Sequence, residues 1–166
     1  MMLAAAKFLQ APDGPRIAVM ESGGWDTHQN QGGATGSLAN KLADLDGNLA
    51  GFKKAMGPAW SKTVVAVVTE FGRTAKINGT RGTDHGTASA ALLLGGAVSG
   101  GKVVTDWPGL QKSALFEGRD LKPTTDLRGA FKTVLSDHLG ISPRKIDRDV
   151  FPGERAVHGI DGLIRS

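Results

Sequence analysis

Apolar positions along this chain alternate between helical spacing and short unbroken runs, and that alternation predicts an α/β order of elements. Residues 2–10 read as a short helix, ended at Ala11-Pro12-Asp13-Gly14-Pro15, where two prolines and a glycine impose a turn. The apolar run Arg16 to Glu21 then reads as a buried strand, stopped by Ser22-Gly23-Gly24. From Thr35 to Met56 the residues Leu38, Leu42, Leu45, Leu49, Phe52 and Met56 recur at intervals of 4, 3, 4, 3 and 4, which places them on one face of a long helix. Gly57-Pro58 ends it. The β-branched run Thr63 to Thr69 follows as a strand covered on both faces, and strand, helix, strand with a crossover of this length implies a right-handed parallel unit.

The second half carries the same alternation more weakly. Ala88 to Leu94 reads as a third strand before Gly95-Gly96, and Lys102 to Thr105 as a short one before the turn Asp106-Trp107-Pro108-Gly109. Residues 115–122 show no clear period. Asp126 to Leu139 is a second helix: Leu127, Ala130, Phe131, Val134, Leu135 and His138 share a stripe, Asp126 caps the start and Gly140 the end. His138, lying on that stripe, reads as structural. Ser142-Pro143 begins a further helical turn, and Phe151 to Ser166 reads as irregular surface chain. The expected fold is a single α/β domain over residues 1–166, a mostly parallel sheet flanked by helices, with ligand groups at the carboxyl edge of its strands.

Composition narrows the function classes. With 166 residues, 40% of them hydrophobic, the chain suits one compact domain. The net charge of +4, from 20 basic and 16 acidic side chains, is spread without a Lys/Arg block, and three Trp, six Phe and no Tyr leave little for base stacking; both argue against nucleic acid as a partner. The absence of cysteine excludes disulfides, iron-sulfur clusters and thiolate nucleophiles but leaves the compartment open. The start Met1 to Leu9 lacks the basic region of a signal sequence, and no stretch reaches the roughly 20 apolar residues that span a bilayer. Glycine, at 24 residues, is about twice its usual share and points to many tight loops.

Three of those loops carry the candidate chemistry. Trp25-Asp26-Thr27-His28-Gln29-Asn30-Gln31 is either a ligand-bearing loop or a hydrated one anchored by Trp25. Glu70-Phe71-Gly72-Arg73 leaves the carboxyl end of the Thr63 to Thr69 strand. Arg81-Gly82-Thr83-Asp84-His85-Gly86 sets a carboxylate and an imidazole between glycines, which suits either a metal site or an ordinary polar turn with a surface histidine. In a parallel sheet Asp26 and His28 would emerge at the same edge as Glu70 and Arg73, and three or four such ligands satisfy one transition metal.

Gly24-Trp25-Asp26-Thr27-His28, Thr69-Glu70-Phe71-Gly72-Arg73 and the closing Val150-Phe151-Pro152-Gly153 resemble the signatures of the bacterial family catalogued as domain of unknown function 1501, with similarity over nearly the whole chain. That family in turn is similar to the alkaline phosphatase and sulfatase superfamily, including cofactor-independent phosphoglycerate mutase. The resemblance implies an alkaline-phosphatase-like fold and a divalent metal, zinc, manganese or calcium. Asp26 and His28 resemble the superfamily's ligands of one metal, though there they sit further apart, and His85 resembles the late histidine that completes it. Asp84 is an alternative ligand or one that orients the site. Glu70 stands where an Asp-His pair normally ends the strand and Phe71 where a histidine is expected, which puts a second metal in doubt. Glu70 and Arg73 are the candidate catalytic residues, with Arg73 either holding an anionic group of an ester substrate or forming a plain salt bridge.

The superfamily's early metal-binding Asp and its nucleophile have no counterpart before Arg16, so the resemblance also implies a C-terminal portion of a longer protein and a missing N-terminal segment. Family members often begin with a twin-arginine export signal, which suggests an exported or periplasmic setting. The expected function is a metal-dependent hydrolase domain for phosphate or sulfate esters, incomplete as it stands; the alternative is a non-catalytic binding or structural module that retains the fold.

Overall fold

The computed structural model describes residues 1–165. Helix α1 spans Met2–Leu9, and the long helix α2 spans Ser37–Met56, continued by a 3-10 turn over Gly57–Lys62. The apolar stripe on α2 is buried only at its C-terminal end, where Phe52 and Met56 enclose Ala6 of α1. Trp60 meets Phe52 edge-on at 6.3 Å between centroids. The Gln10 side chain joins the two helices, donating to the carbonyls of Ala6 at 2.9 Å and Ala55 at 3.0 Å. Further along, α3 (Leu127–Thr133) passes into a π-helical turn (Val134–His138), and α4 (Pro143–Lys145) into another (Ile146–Val150). Asp126 caps α3 as its position predicts, accepting from the Arg128 backbone N–H at 2.9 Å.

The strands depart from the parallel α/β arrangement expected of the sequence. Strand β1 (Val65–Val67) pairs with β4 (Leu92–Leu94), and β2 (Gly72–Arg73) pairs with β3 (His85–Gly86). Both pairs are antiparallel, with Val65 opposite Leu94 and Arg73 opposite His85. A parallel pair needs a crossover element to carry the chain back to the same end, usually a helix. Residues 68–91 between β1 and β4 contain no helix; they hold the small β2–β3 ladder, so the chain returns in the opposite direction.

Arg16 to Glu21 and Lys102 to Thr105 form no strand, and Val19 is 92% exposed and Val103 88%. The apolar character of these runs was read as burial, but no described strand lies beside them to supply a ladder. Among the described residues there is therefore no mostly parallel sheet and no alkaline-phosphatase-like fold. Surface area tells the same story: a compact monomer of this mass exposes about 7,800 Å² by the usual scaling, whereas this chain exposes 11257 Å². No described helix is long and apolar enough to cross a membrane.

The expected irregular tail runs without helix or strand through the described residues, but it is not loose surface chain. An isolated bridge pairs Val98 with Ile164, and both Val98 and Leu163 are buried. Ser166, the last residue of that expected tail, lies outside the described residues. His138 is half-buried, and desolvation, with Arg16 nearby, pushes its pKa below the ordinary 6.5.

Two substitutions separate the observed packing from the expected one. Phe52→Ala is expected to destabilise by about 3–4 kcal/mol, because it empties the one well-covered cluster. Val19→Ser is expected to change stability by less than about 0.5 kcal/mol, as befits an exposed site. Chemical denaturation of both variants checks this; a multi-kcal/mol loss at Val19 would show that the Arg16 to Glu21 run is packed after all.

Candidate metal centre

Two loops far apart in sequence lie flat against each other. Asn30 N–H donates to the Thr80 carbonyl at 3.0 Å, Gln31 N–H to Arg81 at 2.9 Å and Thr83 N–H to Thr27 at 3.3 Å. Asn78 is the tie between them. Its amide nitrogen donates to the His28 carbonyl at 3.0 Å and to Asp84 Oδ1 at 2.9 Å, while its Oδ1 accepts from the backbone N–H groups of Thr80 and Gly82. Position 82 tolerates only glycine at this separation, since a Cβ there would stand 2.2 Å from the His28 carbonyl oxygen.

This contact, together with the β2–β3 ladder, brings Asp26, His28 and His85 to one point. His85 Nε2 lies 2.9 Å from Asp26 Oδ1, His28 Nε2 lies 3.1 Å from the same oxygen, and the two imidazole nitrogens are 3.2 Å apart. Those separations decide what the triangle can hold. Donors about 2.0–2.1 Å from a shared transition metal stand roughly 2.9–3.4 Å apart, depending on whether the angle between them is octahedral or tetrahedral. The Asp26–His28–His85 donor set therefore fits one face of a divalent-metal shell, of the oxygen and nitrogen type that zinc and manganese accept. The three side chains are 41–54% exposed, which leaves the remaining coordination positions open to solvent or ligand.

Asp84 belongs to the layer behind. Its Oδ1 lies 3.1 Å from His28 Nδ1. With the Nδ1 proton held there, His28 Nε2 presents its lone pair to the triangle, the usual way a carboxylate orients a metal-binding imidazole. The Asp84 pKa is lowered from 3.8, first by the Asn78 hydrogen bond and then by His28. Desolvation works to raise the Asp26 pKa, but hydrogen bonds from Arg73 and His85 and the charge of both imidazoles outweigh it, and the net shift is downward.

Arg73 sits beside the triangle in the ion-pair role rather than free for a ligand. Its Nη1 donates to Asp26 Oδ1, its Nη2 to the Thr83 carbonyl, and its Nε to Thr83 Oγ1 at 3.1 Å. Glu70 is not brought into the cluster: it lies exposed in the bend after β1 and forms no hydrogen bond or ion pair among the described residues. Phe71 packs against the His85 ring, centroids 4.4 Å apart. Asn78 was not singled out by any pattern in the sequence, and Gln31 stood out only as one polar side chain of its loop. Gln31 Oε1 accepts from both Thr27 and Thr83 hydroxyls, at 2.8 and 2.7 Å. An Asn four residues before Gly82, in a loop that already held Asp84, was the available sign of the first.

A family model described as protein of unknown function (DUF1501) matches residues 2–150. No curated protein and no solved structure matches the chain.

Because the Asp84 pKa is depressed in the folded state, its contribution to stability is fully present above the ordinary value near 3.8 and is lost as pH falls through the lowered folded value. The difference in denaturation midpoint between wild type and Asp84→Asn is expected to hold steady from neutral pH to about pH 5 and to shrink below 3.8. A difference that stays constant into that acid range would show that the carboxylate is not held by Asn78 and His28. Asn78→Ala is expected to destabilise by about 1–3 kcal/mol, since it leaves several backbone groups of the two loops without partners.

Proposed function

The chain belongs to the family of unknown function DUF1501, and from that premise and the Asp26–His28–His85 triangle we propose that it binds a divalent metal and acts as a hydrolase domain for phosphate or sulfate esters. The observation that carries the reading is the spacing of the three donor atoms, 2.9, 3.1 and 3.2 Å, with Asp84 behind His28. Asp26, His28 and His85 would hold the ion. Bound there, a divalent cation supplies Lewis acidity that polarises an ester oxygen or makes a water more acidic. Asp84 holds the His28 ring in orientation and tautomer, and Asn78 holds Asp84. Arg73, committed to Asp26 and Thr83, fixes the Asp26 carboxylate rather than reaching a substrate.

A second reading, a binding module without turnover, has specific support. Thr27 and Thr83, which neighbour the donors in sequence, both spend their protons on Gln31 Oε1 and are buried. Neither is presented as a nucleophile. Glu70 stands apart, and Phe71 covers a face of His85.

Protein purified without chelator is expected to carry close to one divalent ion per chain by elemental analysis, and the Asp26→Ala, His85→Ala double variant is expected to lose it. Asn78→Ala is expected to weaken affinity about tenfold, the usual scale for a residue that orients a ligand. Equal metal content in wild type and the double variant would sink the proposal. Turnover of aryl phosphate or aryl sulfate esters with zinc, manganese or calcium, lost in His85→Ala, supports the hydrolase; bound metal without turnover supports the binding module.

A further inference from the structure

A cavity of about 150 Å³, lined by both charged and apolar side chains, lies between α3, α4 and the segment after residue 150, and it shares no residue with the Asp26–His28–His85 triangle. Its floor is built around a buried charge. Lys132 is only 7% exposed, and its ammonium donates to Asp147 Oδ1 at 2.6 Å and to the Glu154 carbonyl at 2.7 Å. An ammonium has three N–H donors, so one is left without a protein acceptor. Arg155 also lines the cavity and forms no ion pair among the described residues, and His158 stands beside it.

The wall carrying Arg155 and His158 is held close to α3. Thr133 Oγ1 accepts from the Ile160 N–H at 2.8 Å and lies 3.0 Å from the Ile160 carbonyl. A Cβ at position 129 would stand 2.7 Å from the His158 carbonyl oxygen, so Gly129 is what allows the segment to approach. Glu154 is fixed in turn by Arg128 at 2.5 Å. The cavity is therefore shaped by packed backbone as well as by long surface side chains.

We propose that this cavity binds a small monocarboxylate, with its carboxylate between Lys132 and Arg155 and its short apolar chain against Pro143 and Val157. Two observations select that class. Lys132 and Arg155 against Asp147 leave a formal surplus of one positive charge, which suits a monoanion better than a phosphate dianion. Pro143 and Val157 give the lining an apolar side that a bare oxyanion would not use.

Titration of the full chain with propionate, followed by the His158 ring resonances, tests the site. Saturable shifts with a dissociation constant on the order of 1 mM are expected, the range open to so small a ligand. Arg155→Gln, an exposed position where folding is undisturbed, is expected to weaken binding about tenfold by removing a charge-assisted hydrogen bond. Val157→Trp is expected to abolish it by filling the cavity. Shifts that fail to saturate by about 50 mM, equal affinity in both variants and wild type, or inorganic phosphate binding more tightly than propionate would each overturn the assignment.

Discussion

The convergence of Asp26, His28 and His85 depends on one backbone approach, that of Gly82 to the His28 carbonyl. Without it, the loop bearing Asp84 and His85 could not lie against the loop bearing Asp26 and His28. The approach is fixed from both sides. Asn78 spans the gap with donors to His28 and Asp84, and Gln31 gathers the hydroxyls of Thr27 and Thr83 from the two loops. Neutral hydrogen bonds each add only about 0.5–1.5 kcal/mol net, so the geometry is held by their number and by burial of Thr27 and Thr83 rather than by a single strong contact.

The strand segments show how far apolar runs can mislead. Of Thr63 to Thr69 only Val65–Val67 forms strand, half-buried rather than covered on both faces, and of Ala88 to Leu94 only Leu92–Leu94; β-branched and leucine-rich runs favour extended chain but do not fix its length. Their direction was not legible, since a run of six or seven residues carries no information about which partner it meets or at which end the chain returns. Arg16 to Glu21 was assigned to the sheet interior on the same apolar pattern, yet Ile17, Val19 and Met20 all face solvent. Hydrophobicity reports a preference for burial, and the accessible surface of 11257 Å² records that much of this preference is unmet within the described chain.

The helices and the candidate site were read better, for different reasons. Spacing of 3 and 4 along α2 is a strong signal repeated over five turns, and Asp126 was recognisable as a cap because a carboxylate just before an apolar stripe has a local partner in the N–H two residues on. Asp26, His28 and His85 were recognisable because few residue types make good metal donors, whatever sheet carries them. No parallel sheet among the described residues brings them together. An antiparallel ladder places His85 opposite Arg73, and a loop-to-loop tie centred on an asparagine does the rest. Such a tie is invisible in sequence because its hydrogen bonds join residues about fifty positions apart.

Asp26 is the point where these contacts meet, and its chemistry bears on how strongly the triangle can bind a cation. One oxygen, Oδ1, accepts from Arg73, faces His85 Nε2 at 2.9 Å and faces His28 Nε2 at 3.1 Å. A guanidinium stays protonated throughout the accessible pH range, so a metal at the triangle must share that oxygen's charge with Arg73 rather than displace a proton from it. Sharing lowers the charge available to the ion, while the bonds from Arg73 to Thr83 fix the guanidinium that holds the Asp26 side chain. The same ion pair thus orients Asp26 and limits its strength as a ligand. On the proposed metal-binding reading, a cation at the triangle would be moderately held and exchangeable rather than tightly buried.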